Sequence, residues 1–194
     1  MTRENIGINQ DCIDSLSINH LLNDSNGLQM SGHITDRIFK NGVLVEERVG
    51  HNLVVNSFIT LVMSLLKQEE GFNGIQYWAI GSGDDSWDSK LPSPSANETL
   101  LTSEIGRVPI SPSEISFLDS SFNIVSTPTP ILQIKHVFGT SDLNGVWREF
   151  GIFGGNATSE LNSGILINKK HHSVITKTDD MTVERTMRFN LNLA

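Results

Sequence analysis

Cysteine occurs once in the 194 residues, at Cys12, so no intramolecular disulfide is available to this chain. Stability has to come from a core, and at this length roughly 70 per cent of the unfolded surface can be buried. Basic residues are scarce: 14 Lys and Arg stand against 22 Asp and Glu, a net charge of −8. Binding nucleic acid through its phosphates needs a basic face, so that partner class is set aside. Long apolar runs are missing too, and nothing approaches the ~20 residues of a membrane-spanning helix. Residues Met1 to Gln10 carry no apolar core, so the expectation is a chain without a leader peptide, made in a cytoplasm. Gly81-Ser-Gly-Asp-Asp lacks the third glycine of a dinucleotide loop and the lysine of a phosphate cradle, and no cofactor is expected.

What is present is mostly β pattern, and its centre is Val146 to Gly155, Val-Trp-Arg-Glu-Phe-Gly-Ile-Phe-Gly-Gly. Strict alternation puts Val146, Arg148, Phe150 and Ile152 on one face and Trp147, Glu149, Gly151 and Phe153 on the other. Arg148 and Glu149 then point apart, and each needs a partner from elsewhere, because an unpaired buried charge costs several kcal/mol. Glu104 and Arg107 in Ser-Glu-Ile-Gly-Arg are the obvious candidates. The expected arrangement is a cross-pairing, Arg148 with Glu104 and Glu149 with Arg107, structural in role.

Around that strand the chain divides into an N-terminal arm, 1–27, and a β domain, 28–194. The arm is rich in Asn, Asp and Ser, with Ile13, Leu16, Ile18, Leu21 and Leu22 as a short amphipathic run that orders only against a partner or its own domain. Asn41-Gly42 separates two strand-like runs within Leu28 to Arg48 and predicts a tight type I′ hairpin. Val54 to Gln68 predicts one amphipathic helix, over about 56–68, with Asn56 as its cap. Its stripe is Phe58, Leu61, Val62, Leu65 and Leu66. Ile75 to Ile80 reads as a buried strand leading into a long loop over Gly81–Asn97, the kind of segment that contacts partners. From Val108 onward short strand runs recur, ending in the alternating run Met181 to Leu193, with Arg185 the one break. The fold class this implies is mainly β, an antiparallel β-sandwich or jelly-roll-like domain with one helix.

Candidate chemistry is thin. Ser64 and Lys67 match the Ser-x-x-Lys spacing of serine acyl-transfer enzymes, but the companion motifs are replaced by Ser141-Asp-Leu-Asn and Lys177-Thr-Asp. His171 and His172 are adjacent, so on a strand they face opposite ways and do not share a metal; the run Lys169 to His172 reads as an exposed turn. Asp84, Asp85 and Asp88 lack the ligand spacing of a calcium loop and read as a solvated turn open to a partner. Trp78 and Trp147 fall inside strand runs and belong to the core. Trp87, in the loop, is the one tryptophan free to meet a partner or a sugar. No metal, cofactor or catalytic residue is assigned.

The order of segments carries a resemblance. Lys40-Asn-Gly-Val-Leu-Val is followed by His51-Asn-Leu-Val-Val-Asn opening a helix, then Ala79-Ile-Gly-Ser-Gly and Glu98-Thr-Leu-Leu-Thr-Ser-Glu-Ile-Gly-Arg107. Trp147-Arg-Glu-Phe-Gly-Ile-Phe-Gly-Gly, Gly164-Ile-Leu-Ile-Asn and Lys177 before a long last strand complete it. This succession, over roughly residues 28 to 193, resembles small bacteriophage virion proteins of tails, baseplates and tail fibres. The resemblance implies a non-enzymatic structural protein in a virion, in contact with copies of itself and other virion proteins. The arm, the sheet edges and the 81–97 loop are where those contacts are expected. A carbohydrate-binding module for a host surface glycan and a capsid decoration protein are the alternatives.

Overall fold

The computed structural model describes residues 28–193, of which Met30–Leu191 form one compact unit. The expected arm, 1–27, lies outside the described residues. The strands are β1 (Leu28–Lys40), β2 (Val43–Val54), β3 (Asn73–Gly81), β4 (Glu104–Pro109) and β5 (Ile115–Leu118). They continue with β6 (Ile124–Val125), β7 (Ile131–Phe138), β8 (Gly145–Gly155), β9 (Ile165–Lys177) and β10 (Met181–Leu193). One helix, α1 (Ser57–Lys67), follows β2. All ten strands belong to a single sheet in the order β4-β3-β8-β9-β2-β1-β10-β7-β5-β6. The sheet curls until β7 and β10 lie across from β8: Phe138 meets Trp147 edge to face with ring centroids 5.1 Å apart, although four strands separate β8 from β7 in the order. The fold is therefore the mainly β, sandwich-type architecture that the short strand runs imply.

The hairpin turn forms as its residues dictate. Asn41 and Gly42 take φ of 49° and 78°, the two positive values of a type I′ turn. The Asn41 N–H then bonds the carbonyl of Asp180, which ties this hairpin to the β9–β10 turn.

The interior is one continuous cluster. Ile34 and Ile38 of β1, Ile134 and Phe138 of β7 and Val183, Met187 and Phe189 of β10 meet Trp78, Trp147, Phe150, Ile152 and Ile175 from the opposite half. A smaller cluster, Val55, Ala79, Leu101, Phe153, Ala157 and Leu166, covers the other face of β3, β8 and β9. β8 is thus buried from both sides, and it holds the middle position between β3 and β9. Its alternation is broken, however. The β8–β9 register shifts between Trp147 and Glu149, so Trp147 and Phe150 both turn inward while Arg148 and Glu149 both reach the covering loop. The two-faced assignment made from strict alternation fails at this irregularity.

The helix also departs from expectation. Asn56 has helical dihedrals and caps nothing with its side chain; its amide instead donates to Asn97 Oδ1 at 2.8 Å. The Ser57 hydroxyl, donating to the Leu166 carbonyl at 2.6 Å, anchors this end to β9. Gln68 ends the helix in the left-handed region (φ 59°), and its N–H and that of Glu69 satisfy the carbonyls of Leu65 and Ser64. Of the stripe, only Leu61 is fully buried, over Gly154, where a Cβ would lie 3.1 Å from the leucine methyl.

β9 corrects a second expectation. It runs unbroken through Lys169, Lys170, His171 and His172, and both histidines are buried. The four polar residues that read as a turn are strand residues, because each finds a partner described below.

Candidate functional site

Charged side chains gather on the outer face of β8 and β9, beneath the loop that joins β3 to β4. Glu149 is wholly buried, and its carboxylate accepts from the N–H groups of Ser103 (2.8 Å) and Thr102 (3.0 Å) and from Lys169 at 3.1 Å. Gly81 makes room for it, since a Cβ there would stand 2.5 Å from Glu149 Oε1. Lys169 also reaches Glu98 at 2.5 Å and the Leu100 carbonyl at 3.2 Å. Burial alone would push the Glu98 carboxyl up. The hydrogen bonds from Lys169 and the Ser95 N–H outweigh it and hold the group below its ordinary value.

Arg148 forms a fork with both oxygens of Asp88, at 2.8 Å each, meets Asp85 at 2.8 Å and donates to the Ser82 carbonyl. The bond to Asp88 raises its pKa further, so the guanidinium is a permanent cation clamping a short 3₁₀ turn, Asp85–Asp88. Asp84 caps that turn through the Ser86 N–H. Trp87 lies on the His171 ring at 4.1 Å between centroids, so one face of the loop tryptophan is already occupied. On the far side, Arg107 forks onto Glu104 at 2.7 and 2.8 Å, and both side chains are buried. Arg107 also donates to the carbonyls of Thr158 and Ser163, while its guanidinium lies 4.6 Å from the Phe153 ring.

The cross-pairing read from the sequence is therefore not the one made. Arg107 takes Glu104 from its own strand, Arg148 takes the loop aspartates, and Glu149 takes Lys169. The irregularity between Trp147 and Glu149 turns Arg148 out of the core face that it would share with Phe150 and toward Asp85 and Asp88. Ser64 and Lys67 do not converge: the serine hydroxyl returns to the Thr60 carbonyl and the lysine pairs with Glu69.

A second charged group lies inside the sandwich. Arg185, fully buried, forks onto Asp36 at 2.7 Å through both bonds and lies 4.0 Å from the centroid of Phe150. Burial works against the Asp36 carboxylate, but Arg185 prevails and its pKa falls below the usual range. His172 stands next to them. Burial, reinforced by Arg185, takes its pKa down to about 3, so the ring is neutral. Its Nδ1 lies 2.8 Å from the Ser173 carbonyl and so must be the protonated nitrogen.

β2 and β9 pair only at Leu53–Lys169 and Val54–Asn168, and then part. Side chains span the gap. Arg48 donates to the carbonyls of Ser173 and Val174, and Lys170 donates to that of His51 at 2.6 Å. Among the described residues no three His, Cys, Asp or Glu side chains assemble to hold a metal ion.

Sequence reasoning overlooked the Asp36–Arg185 pair. Its signals were there: Arg185 interrupts the apolar alternation of β10, and Asp36 interrupts Ile34 and Ile38 in β1. The chain matches no known family model, and no curated protein shares significant similarity with it.

Proposed function

We propose that this chain is a structural subunit of a larger assembly, and that the assembly is a bacteriophage tail, baseplate or tail fibre. One observation carries the first half. α1 is apolar on two sides: Leu61 faces the sheet, while Ile59, Met63 and Leu66 lie on the opposite side at four- and three-residue spacing. They are 42, 60 and 71 per cent exposed, so the side turned away from the sheet is apolar where a surface helix normally carries polar residues. Covering the exposed part of these three side chains is worth roughly 0.6–2 kcal/mol each, a useful contribution to a partner surface. Val43, Val45 and Val49 on β2 are each more than half exposed as well. The buried charges support a structural role, since the buried carboxylates Asp36, Glu104 and Glu149 are each held by a cation of the fold itself. The phage identity rests on the order of segments described above.

The test is incorporation. Particles purified on a density gradient from phage-producing cells should contain the chain by mass spectrometry. The double variant Met63→Glu, Leu66→Glu should keep the wild-type circular dichroism spectrum and be excluded from those particles. Wild-type protein absent from particles refutes the phage reading. A double variant incorporated at wild-type level refutes the role of the helix.

A further inference from the structure

His33 of β1 and His51 of β2 are direct cross-strand partners, and their rings stand 4.3 Å apart between centroids at 57° to each other. Partners so placed share one face of a sheet, with Cβ atoms about 4.5–5.5 Å apart. Here it is the outer face: Ile34, the next residue along β1, is buried in the core, while both histidines are exposed. Among the described residues the rings of His136, His171 and His172 have hydrogen-bond partners, and those of His33 and His51 have none.

Imidazole is the commonest metal-binding side chain, and two held side by side on a rigid surface form a chelate. The geometry is close to what that requires. At metal–nitrogen distances of about 2.0–2.1 Å, two imidazoles bound at right angles to one ion have centroids roughly 4.5 Å apart, and at the tetrahedral angle roughly 5 Å. Small χ rotations of two exposed rings cover the difference. The backbone need not move, because the register from Gly32–Asn52 to Ile38–Glu46 runs unbroken and fixes both Cα positions.

The surroundings select the ion. On the same face the next rungs are Thr35 with Val49, then Arg37 with Glu47, whose charges meet at 3.6 Å. Among the described residues no third His, Cys, Asp or Glu joins the pair. Two neutral nitrogen donors favour Cu²⁺, Ni²⁺ and Zn²⁺ over Mg²⁺ and Ca²⁺, which take oxygen ligands. Water fills the remaining positions. His51 also borders the open pocket of about 250 Å³ beside the two paired rungs of β2 and β9, which leaves room for that water.

We infer that His33 and His51 chelate one late first-row divalent metal ion on the outer face of the β1–β2 hairpin. The ion ties the two strands together at the end away from the Asn41-Gly42 turn, and it stabilises the folded register because only that register presents both rings. This site is separate from the apolar face of α1 and does not depend on the assembly reading.

Calorimetric titration of the full chain, free of any affinity tag, with Cu²⁺, Ni²⁺, Zn²⁺ and Mg²⁺ tests it. One equivalent of Cu²⁺ should bind, more tightly than Ni²⁺ or Zn²⁺, and Mg²⁺ should not compete. The electron paramagnetic resonance spectrum of the Cu²⁺ complex should carry the splitting of two imidazole nitrogens. Both side chains are exposed, so His33→Ala and His51→Ala should keep the wild-type circular dichroism spectrum. Each should weaken binding at least ten-fold and remove the two-nitrogen pattern. Acidification should also weaken binding, since protons compete for the same nitrogens. The inference is overturned if no stoichiometric Cu²⁺ binding occurs, if either variant binds like wild type, or if the spectrum shows a single nitrogen, the sign of adventitious binding at separate histidines.

Discussion

The Asp36–Arg185 pair gives the sharpest test of how this fold is held. Arg185 is fully buried and Asp36 nearly so, and the guanidinium gives two of its nitrogens to the carboxylate while Nη1 finds no acceptor among the described residues. Asp36→Ala would strand a cation against Phe150 and Trp147, with a cost of about 3–5 kcal/mol. Arg185→Met would strand the carboxylate at a similar cost. Removing both leaves apolar groups facing apolar groups, so the double variant should lose well under the sum, with a coupling of at least ~2 kcal/mol. At roughly 2–4 °C per kcal/mol for a chain of this size, each single variant should melt about 6–20 °C lower. Guanidinium unfolding of the four proteins, with equal slopes required for comparison, measures the cycle. Single losses below ~1 kcal/mol, the range of a surface pair, would sink the reasoning, and so would strict additivity.

Two further outcomes follow from the same geometry. His172 is neutral when folded, with its pKa lowered to about 3 by burial and by Arg185, whereas the unfolded chain protonates near the ordinary histidine value. As pH falls from about 6.5 toward 3 the unfolded state takes up a proton that the folded state refuses, so this residue should remove up to ~1.4 kcal/mol of stability per pH unit. His172→Leu should flatten that slope; an unchanged slope would refute the assignment. Arg148→Ala should free the Asp85–Asp88 turn, seen as faster amide exchange at Asp84 to Ser89, with the amides of β8 still protected. Unchanged exchange in the turn would show that the clamp is idle.

Periodicity and turn chemistry were legible in the sequence. Asn41-Gly42 can do little other than turn, the stripe around Leu61 could only be helical, and the run from Val146 announced a central strand. Partner choice among charges was not legible, because it depends on side-chain direction, and the irregularity beside Arg148 reversed the direction of that residue. The buried histidines were hidden for a related reason. Lys169 to His172 has the composition of a turn, and only carboxylates brought in from 60 or more residues upstream in the case of Glu98, or from the facing strand in the case of Asp36, make it a strand interior. The second apolar side of α1 was present in its letters as Ile59, Met63 and Leu66, yet a single stripe was enough to explain a helix lying on a sheet.

The two-rung joint between β2 and β9 creates a hazard as well as a pocket. Two strand edges face each other across a gap with backbone groups on offer, much as at the rim of an open sheet, where foreign strands add and aggregation starts. Arg48 and Lys170 plug this gap with long cationic side chains on the exposed carbonyls, so an invading strand must first expel two charges from their acceptors. Lysine and arginine guard outer edges of β proteins by the same means; here they stand watch at a fault line in the middle of the sheet.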